Sequence, residues 1–215
     1  MSTMTNLDFY FSPGCQWAWR TALWIRQVRA QRPLNVTWRM FSLATVHHQA
    51  DPSKPDRYTN GIRAEKTLVA ARREHGNDGI ERLYMAIGDA YHGRKEPKNL
   101  ETLQVAIRAA GLSADLVQAA ESDPTVEQEL LAEHQHAVDA LKAFGVPTLH
   151  LEGADIGFFG PVVDPVPVGE QALELWDHML WSLRQPYLWE LKRERDYTPA
   201  AQPYLEAGAK VAALT

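Results

Sequence analysis

Leu7-Asp8-Phe9-Tyr10-Phe11, then Ser12-Pro13-Gly14, then Cys15-Gln16-Trp17-Ala18-Trp19 is the stretch that decides the fold. Its first five residues are aromatic and bounded by turn formers, the pattern of a buried strand running into a turn. A helix is expected from about Cys15, because Ala18, Ala22 and Ile25 recur at helical spacing with arginines on other faces. It should end before Pro33. Residues 35–40 alternate apolar and polar side chains and form a second strand. Strand, helix and strand in this order make a β-α-β unit, whose right-handed crossover sets the strands parallel.

Further along, residues 52–144 are almost entirely helical in pattern. Leu83, Ile87 and Tyr91 share one face; Leu100, Leu103 and Ile107 share another, with Asn99 as N-cap and Gly111 past the end. Pro124 opens a long helix through Val126, Leu130, His134, Val138 and Leu141, which Gly145 is expected to end. Strand signals return at 148–151 and 156–159, with Gly153-Ala154-Asp155 between them at hairpin length. A last helix spans 169–184, its stripe being Leu173, Trp176, Leu180 and Leu183. From Gln185 the chain is rich in proline and charge, and it should pack in part and then fray. The order β-α-β, helices, β-β-α is an α/β fold split by an all-helical insertion. We expect one unit from 1–50 and 145–195, the insertion at 51–144 and a tail at 196–215.

The 215 residues are 45% hydrophobic and 23% charged, ordinary for a globular protein. A formal net charge of −5 argues against a general nucleic-acid binder. One cysteine excludes an internal disulfide and a cysteine-rich zinc site. No basic segment leads into an apolar run at the N-terminus and no stretch has membrane-span length, so a cytoplasmic location and no membrane partner are expected.

Cys15 follows a strand and opens a helix. Backbone N–H groups and the helix dipole at such a place favour a thiolate, a nucleophile for thiol–disulfide exchange. A buried, inert cysteine fits the residues equally well. Gly145-Val146-Pro147-Thr148 sets a proline before a strand, compatible with a cis or a trans peptide. His47-His48 follows the second strand in an expected loop, either a proton donor over the site or a solvated pair. His134 and His136 are two apart on a helix and face different ways, so no metal site is expected there. Arg63, Lys66, Arg72 and Arg73 form either an anion site or a solvated face.

The stretch from Asp8 to Trp19 resembles the active-site segment of DsbA-like thioredoxin-fold proteins, with their Pro-x-Cys-Pro-Trp-Cys-Trp. Val146-Pro147-Thr148 resembles their cis-proline loop. Phe158-Phe159-Gly160-Pro161-Val162, Pro167-x-Gly169-Glu170, Leu175-Trp176-Asp177, Glu190-Leu191-Lys192-Arg193 and Phe41-Ser42-Leu43-Ala44 are similar to the mycothiol-dependent nitroreductase branch. The resemblance spans about residues 7–195. It implies a thioredoxin-like fold with an inserted helical subdomain, Cys15 as the attacking cysteine, and a thiol-binding loop at Val146 and Pro147. Gln16, Trp17, Trp19, Phe158, Phe159 and His47 are expected around the thiol or substrate.

Two departures matter. Gln16 replaces the usual proline, and Ala18 replaces the resolving cysteine. Cys15 alone cannot close an internal disulfide, so monothiol chemistry is expected. A low-molecular-weight thiol, mycothiol or glutathione, would be the reductant for a small electrophile. The kappa-class glutathione transferases and chromene-carboxylate isomerases share this fold and imply an alternative, with Cys15 stabilising a bound thiolate. A non-catalytic binding protein is a third. Related proteins often pair, so a homodimer is compatible with the resemblance.

Overall fold

The computed structural model of the chain describes residues 4–195 and 197–208, without the side chains of 56 and 57. Strand β1 (Thr5–Phe11) lies at the centre, parallel to β2 (Leu34–Met40) and antiparallel to β3 (Thr148–Leu151), which pairs antiparallel with β4 (Phe158–Phe159). The sheet order is β2-β1-β3-β4, the order of a thioredoxin-like sheet. Helix α1 (Gln16–Arg29) makes the crossover. Between β2 and β3 come α2 (Leu43–Ala50), α3 (Pro55–Gly88), a π-helical turn (Asp89–Gly93), α4 (Leu100–Ala109), α5 (Leu116–Ser122) and α6 (Pro124–Asp139). Helix α7 (Gly169–Ser182) closes the order. Among the described residues no helix is long and apolar enough to cross a membrane.

Each boundary has a local cause. Asn99 Oδ1 accepts the Thr102 N–H at 3.0 Å and Asp123 Oδ1 that of Thr125 at 2.9 Å, the side-chain caps expected of Asn and Asp. Helix α3 is broken at Gly76, whose φ of 65° suits glycine. Helix α6 stops at Asp139 rather than running to Gly145. Lys142 takes the left-handed conformation (φ 57°), and the Ala143 N–H bonds back to Ala137 O at 2.9 Å, closing the helix with a lysine where glycine is usual. His47 and His48 lie on α2, not in a loop, because Ser42 caps that helix by accepting the Thr45 N–H. On α7, Leu175, Trp176, Met179 and Leu180 meet the core, as does Leu183 just past its end; Leu173 is not among them.

The core is aromatic. Phe9, Phe11, Trp19, Trp24, Trp38 and Tyr84 are all fully buried. Tyr84 stacks on Phe11 at 3.9 Å between centroids, and Trp24 meets Trp176 at 6.0 Å, joining α1 to α7. Gly88 touches Trp19 so closely that an added Cβ would lie 2.2 Å from the indole. Gly88→Ala is therefore expected to cost about 3 kcal/mol, roughly 10 °C in Tm, read by thermal denaturation.

The helices after β2 also cover its outer edge. Asn77 accepts the Trp38 N–H and donates to Val36 O, while Glu133 accepts the Met40 N–H. These bonds satisfy edge groups that would otherwise invite another strand. Arg63, Lys66, Arg72 and Arg73 pair with Glu121, Glu127, Glu129, Glu133 and Asp123. They tie α3 to α5 and α6, so their charges are taken up by carboxylates of the fold. The tail packs across α1: Trp19 Nε1 donates to Gln202 O, Arg20 to Ala200 O and Gln27 to Glu206 O. The expectation that the tail frays toward its end concerns residues that include 209–215, which lie outside the described residues.

Candidate active site

The turn 12–15 is held residue by residue. Cys15 N–H closes it onto Ser12 O at 3.0 Å. Ser12 Oγ donates to Glu65 Oε1 at 2.8 Å, and Ser42 Oγ to Glu65 Oε2 at 2.6 Å. His92 Nε2 lies 2.8 Å from Pro13 O; a carbonyl only accepts, so that nitrogen carries the proton. Lys98 Nζ donates to Gly14 O at 2.8 Å. Three side chains from the segment between β2 and β3, on α3, the π-helical turn and the loop before α4, thus fix three successive residues before Cys15.

Burial governs their charges. Glu65 is fully enclosed, and burial pushes its carboxyl up to about 7 against the hydrogen bonds of Ser42, Ser12 and the backbone. His92 is pushed down to about 3 by burial, with Lys98 adding to the effect, so it is neutral across the physiological range. The Cys15 thiol is half-buried, and burial pushes it above its ordinary value. The Ala18 and Trp17 N–H groups and Lys98 pull it down by less. Position at a helix start therefore does not by itself make a thiolate here: desolvation outweighs the hydrogen bonds and the lysine charge that reach the sulfur. Cys15 Sγ instead donates to Val146 O at 3.5 Å while accepting the Ala18 N–H at 3.4 Å.

The loop opposite is Gly145-Val146-Pro147-Thr148, with a cis Val146–Pro147 peptide. Val146 and Pro147 are buried, and Gly160 N–H bonds to Pro147 O at 2.9 Å, tying the loop to the end of β4. A cavity of about 120 Å³ adjoins the turn, bordered by Ser12, Gly14, His47, Glu65, Tyr91 and Lys98.

The other expected residues divide. Gln16 and Trp17 are half-buried in the first turn of α1, beside the sulfur. The Trp17 ring is met by two guanidinium groups, that of Arg20 at 5.6 Å from its centroid and that of Arg195 at 4.4 Å. Trp19 is wholly inside, against Tyr84 and His92, and cannot touch a ligand. Phe159 stacks on Phe144, itself 77% exposed, next to the proline loop. Phe158 faces the other way, lining a cavity of about 860 Å³ with Leu151, Leu180 and Trp189, because successive strand residues alternate. Among the described residues no three His, Cys, Asp or Glu side chains are grouped to hold a metal.

A half-buried cysteine capping the first helix, opposed by a cis-proline loop, on a β2-β1-β3-β4 sheet defines a DsbA-like thioredoxin-fold protein. Similar solved structures include the cytosolic disulfide reductase DsbM of Pseudomonas aeruginosa, at 13% identity over 82% of this chain and 98% of that one, TM-score 0.57. A 2-hydroxychromene-2-carboxylate isomerase is similar at 14% identity over 83% and 95%, TM-score 0.57. The family model described as Rv2466c-like, mycothiol-dependent nitroreductase Rv2466c, matches residues 14–193, and the chain belongs to that family. It is also 35% identical over 212 residues to a Mycobacterium tuberculosis protein, uncharacterized protein Rv2286c, covering 94% of this chain and 90% of that one.

Proposed function

We propose that the chain is a monothiol oxidoreductase that uses a low-molecular-weight thiol, mycothiol or a close analogue, to reduce or modify a small electrophile at Cys15. The observation that carries this reading is the 3.5 Å approach of the chain's one sulfur nucleophile to the Val146 carbonyl beside Pro147. The thiol is a co-substrate. The cavity of about 120 Å³ has room for roughly four waters' worth of a ligand, enough for the cysteinyl end of such a thiol. DsbM, a structural neighbour, has also been solved with GSH.

Cys15 loses its proton and adds to the electrophile. Cys15 then gives up the reduced product by forming a mixed disulfide with a first thiol, and is freed when a second thiol attacks that disulfide. Two thiols lose two electrons and two protons, the electrophile gains them, and one thiol disulfide leaves. Ala18 holds the resolving position, so both thiols come from solution. A reducing cytoplasm suits a lone, partly exposed thiol.

The raised thiol favours a second reading. A Cys15 that keeps its proton can donate it to a bound thiolate, as a transferase or isomerase of this fold would require. Stoichiometry separates them. The oxidoreductase consumes two thiols per reduced product and leaves no thiol in it; one thiol retained in the product, or none consumed, would overturn the first reading.

A further inference from the structure

The chain carries a formal net charge of −5, yet the charge that bears on the Cys15 sulfur, that of Lys98, is of the opposite sign. The first turn of α1 holds no acidic residue. Lys98 is bonded to Gly14 O, in the residue before Cys15. Arg195, from the segment after α7, lies with its Cζ 4.4 Å from the Trp17 ring centroid. The Trp17 backbone N–H also bonds the Cys15 sulfur, so Arg195 covers the residue that touches the nucleophile. Among the described residues, Asp164 pairs with Arg20, and Glu65 is enclosed between Ser12 and Ser42. Among the described residues Arg195 itself makes no ion pair, and it is exposed. A guanidinium laid over an indole keeps an edge of N–H donors for a bidentate partner.

We propose that Arg195 is the anion receptor of the Cys15 site, and that the electrophile handled there carries a carboxylate beside its reacting group. This rests on Cys15 being the nucleophile. It adds a specificity residue that lies beyond the segment matched by the family model, residues 14–193.

The test uses two aromatic disulfides on the full-length protein. With 5,5′-dithiobis(2-nitrobenzoate), the Cys15 thiolate attacks one sulfur and the reagent's S–S bond breaks. A Cys15–aryl disulfide forms, the other half leaves as a coloured thiolate, and the Cys15 proton passes to buffer. With 4,4′-dithiodipyridine the exchange is the same but no carboxylate is present. One cysteine in the chain means each signal reports Cys15. Arg195→Gln is expected to slow the dicarboxylate reagent roughly fivefold, leaving the neutral one within about twofold. Added salt should slow the wild type with the dicarboxylate reagent toward the variant's rate. An unchanged ratio of the two rates, or an equal fall in both, would overturn the role of Arg195 while leaving Cys15 as nucleophile. Failure of both reagents with the native wild type would remove both readings.

Discussion

Replacing Cys15 by serine is expected to abolish covalent capture of thiol disulfides and to cut thiol-dependent turnover by roughly a thousandfold or more. The hydroxyl does not ionise near neutrality, and the chain has no other cysteine to take over. The loss is chemical rather than structural. Serine is a strong N-cap, so it can accept the Ala18 N–H as the sulfur does, and it can donate to Val146 O. Thermal stability should be equal or slightly higher. Turnover of a nitroaromatic with mycothiol, followed by product formation, checks it. Activity kept within about tenfold of the wild type would show instead that a hydrogen-bond donor suffices at position 15.

The second large effect is on stability and comes from Glu65. Folded, this carboxyl keeps its proton to about pH 7; unfolded, its ordinary value is 4.5. The folded state therefore binds more proton between those values. Its contribution is complete below pH 4.5 and is lost as pH rises through 7, a change of roughly 3 kcal/mol. His92 acts in the opposite direction. Its folded value of about 3 lies below the ordinary 6.5, so its contribution is complete above 6.5 and fades as pH falls toward 3. Between 4.5 and 6.5 the two slopes oppose, and their sum in the wild type hides both. Glu65→Gln removes one of them. The wild-type advantage over Glu65→Gln, from urea unfolding, should shrink by roughly 3 kcal/mol between pH 4 and pH 8. A difference that stays constant over that range would mean the carboxyl titrates as it does in water.

What was legible follows from where the determining contacts lie along the chain. The β1 strand, the turn and the helix opening at Cys15 are set by neighbours within a few residues, and aromatic runs, turn formers and helical spacing record such contacts. The grip on the turn is not local. Glu65 is 53 residues from Ser12, His92 is 79 from Pro13 and Lys98 is 84 from Gly14. A faint signal existed for Glu65, an acid three and four residues before Leu68 and Val69 on an apolar helix face. Trp17 and Trp19 illustrate the same limit. Both lie in the first turns of α1, but Gly88 from α3 makes the slot that swallows Trp19. For Phe158-Phe159 the sequence carries a local signal, since alternation allows only one of two adjacent strand residues to face the loop. The thiol's protonation could not be read at all, because it is decided by how deeply the finished fold buries the sulfur.

The most direct test of the account is the intact mass of the native protein after incubation with mycothiol disulfide or glutathione disulfide. A gain of one thiol moiety, reversed by excess free thiol and absent in Cys15→Ser, is the predicted result. An unshifted mass in the native protein, with the same sulfur readily labelled once the chain is unfolded, would contradict it.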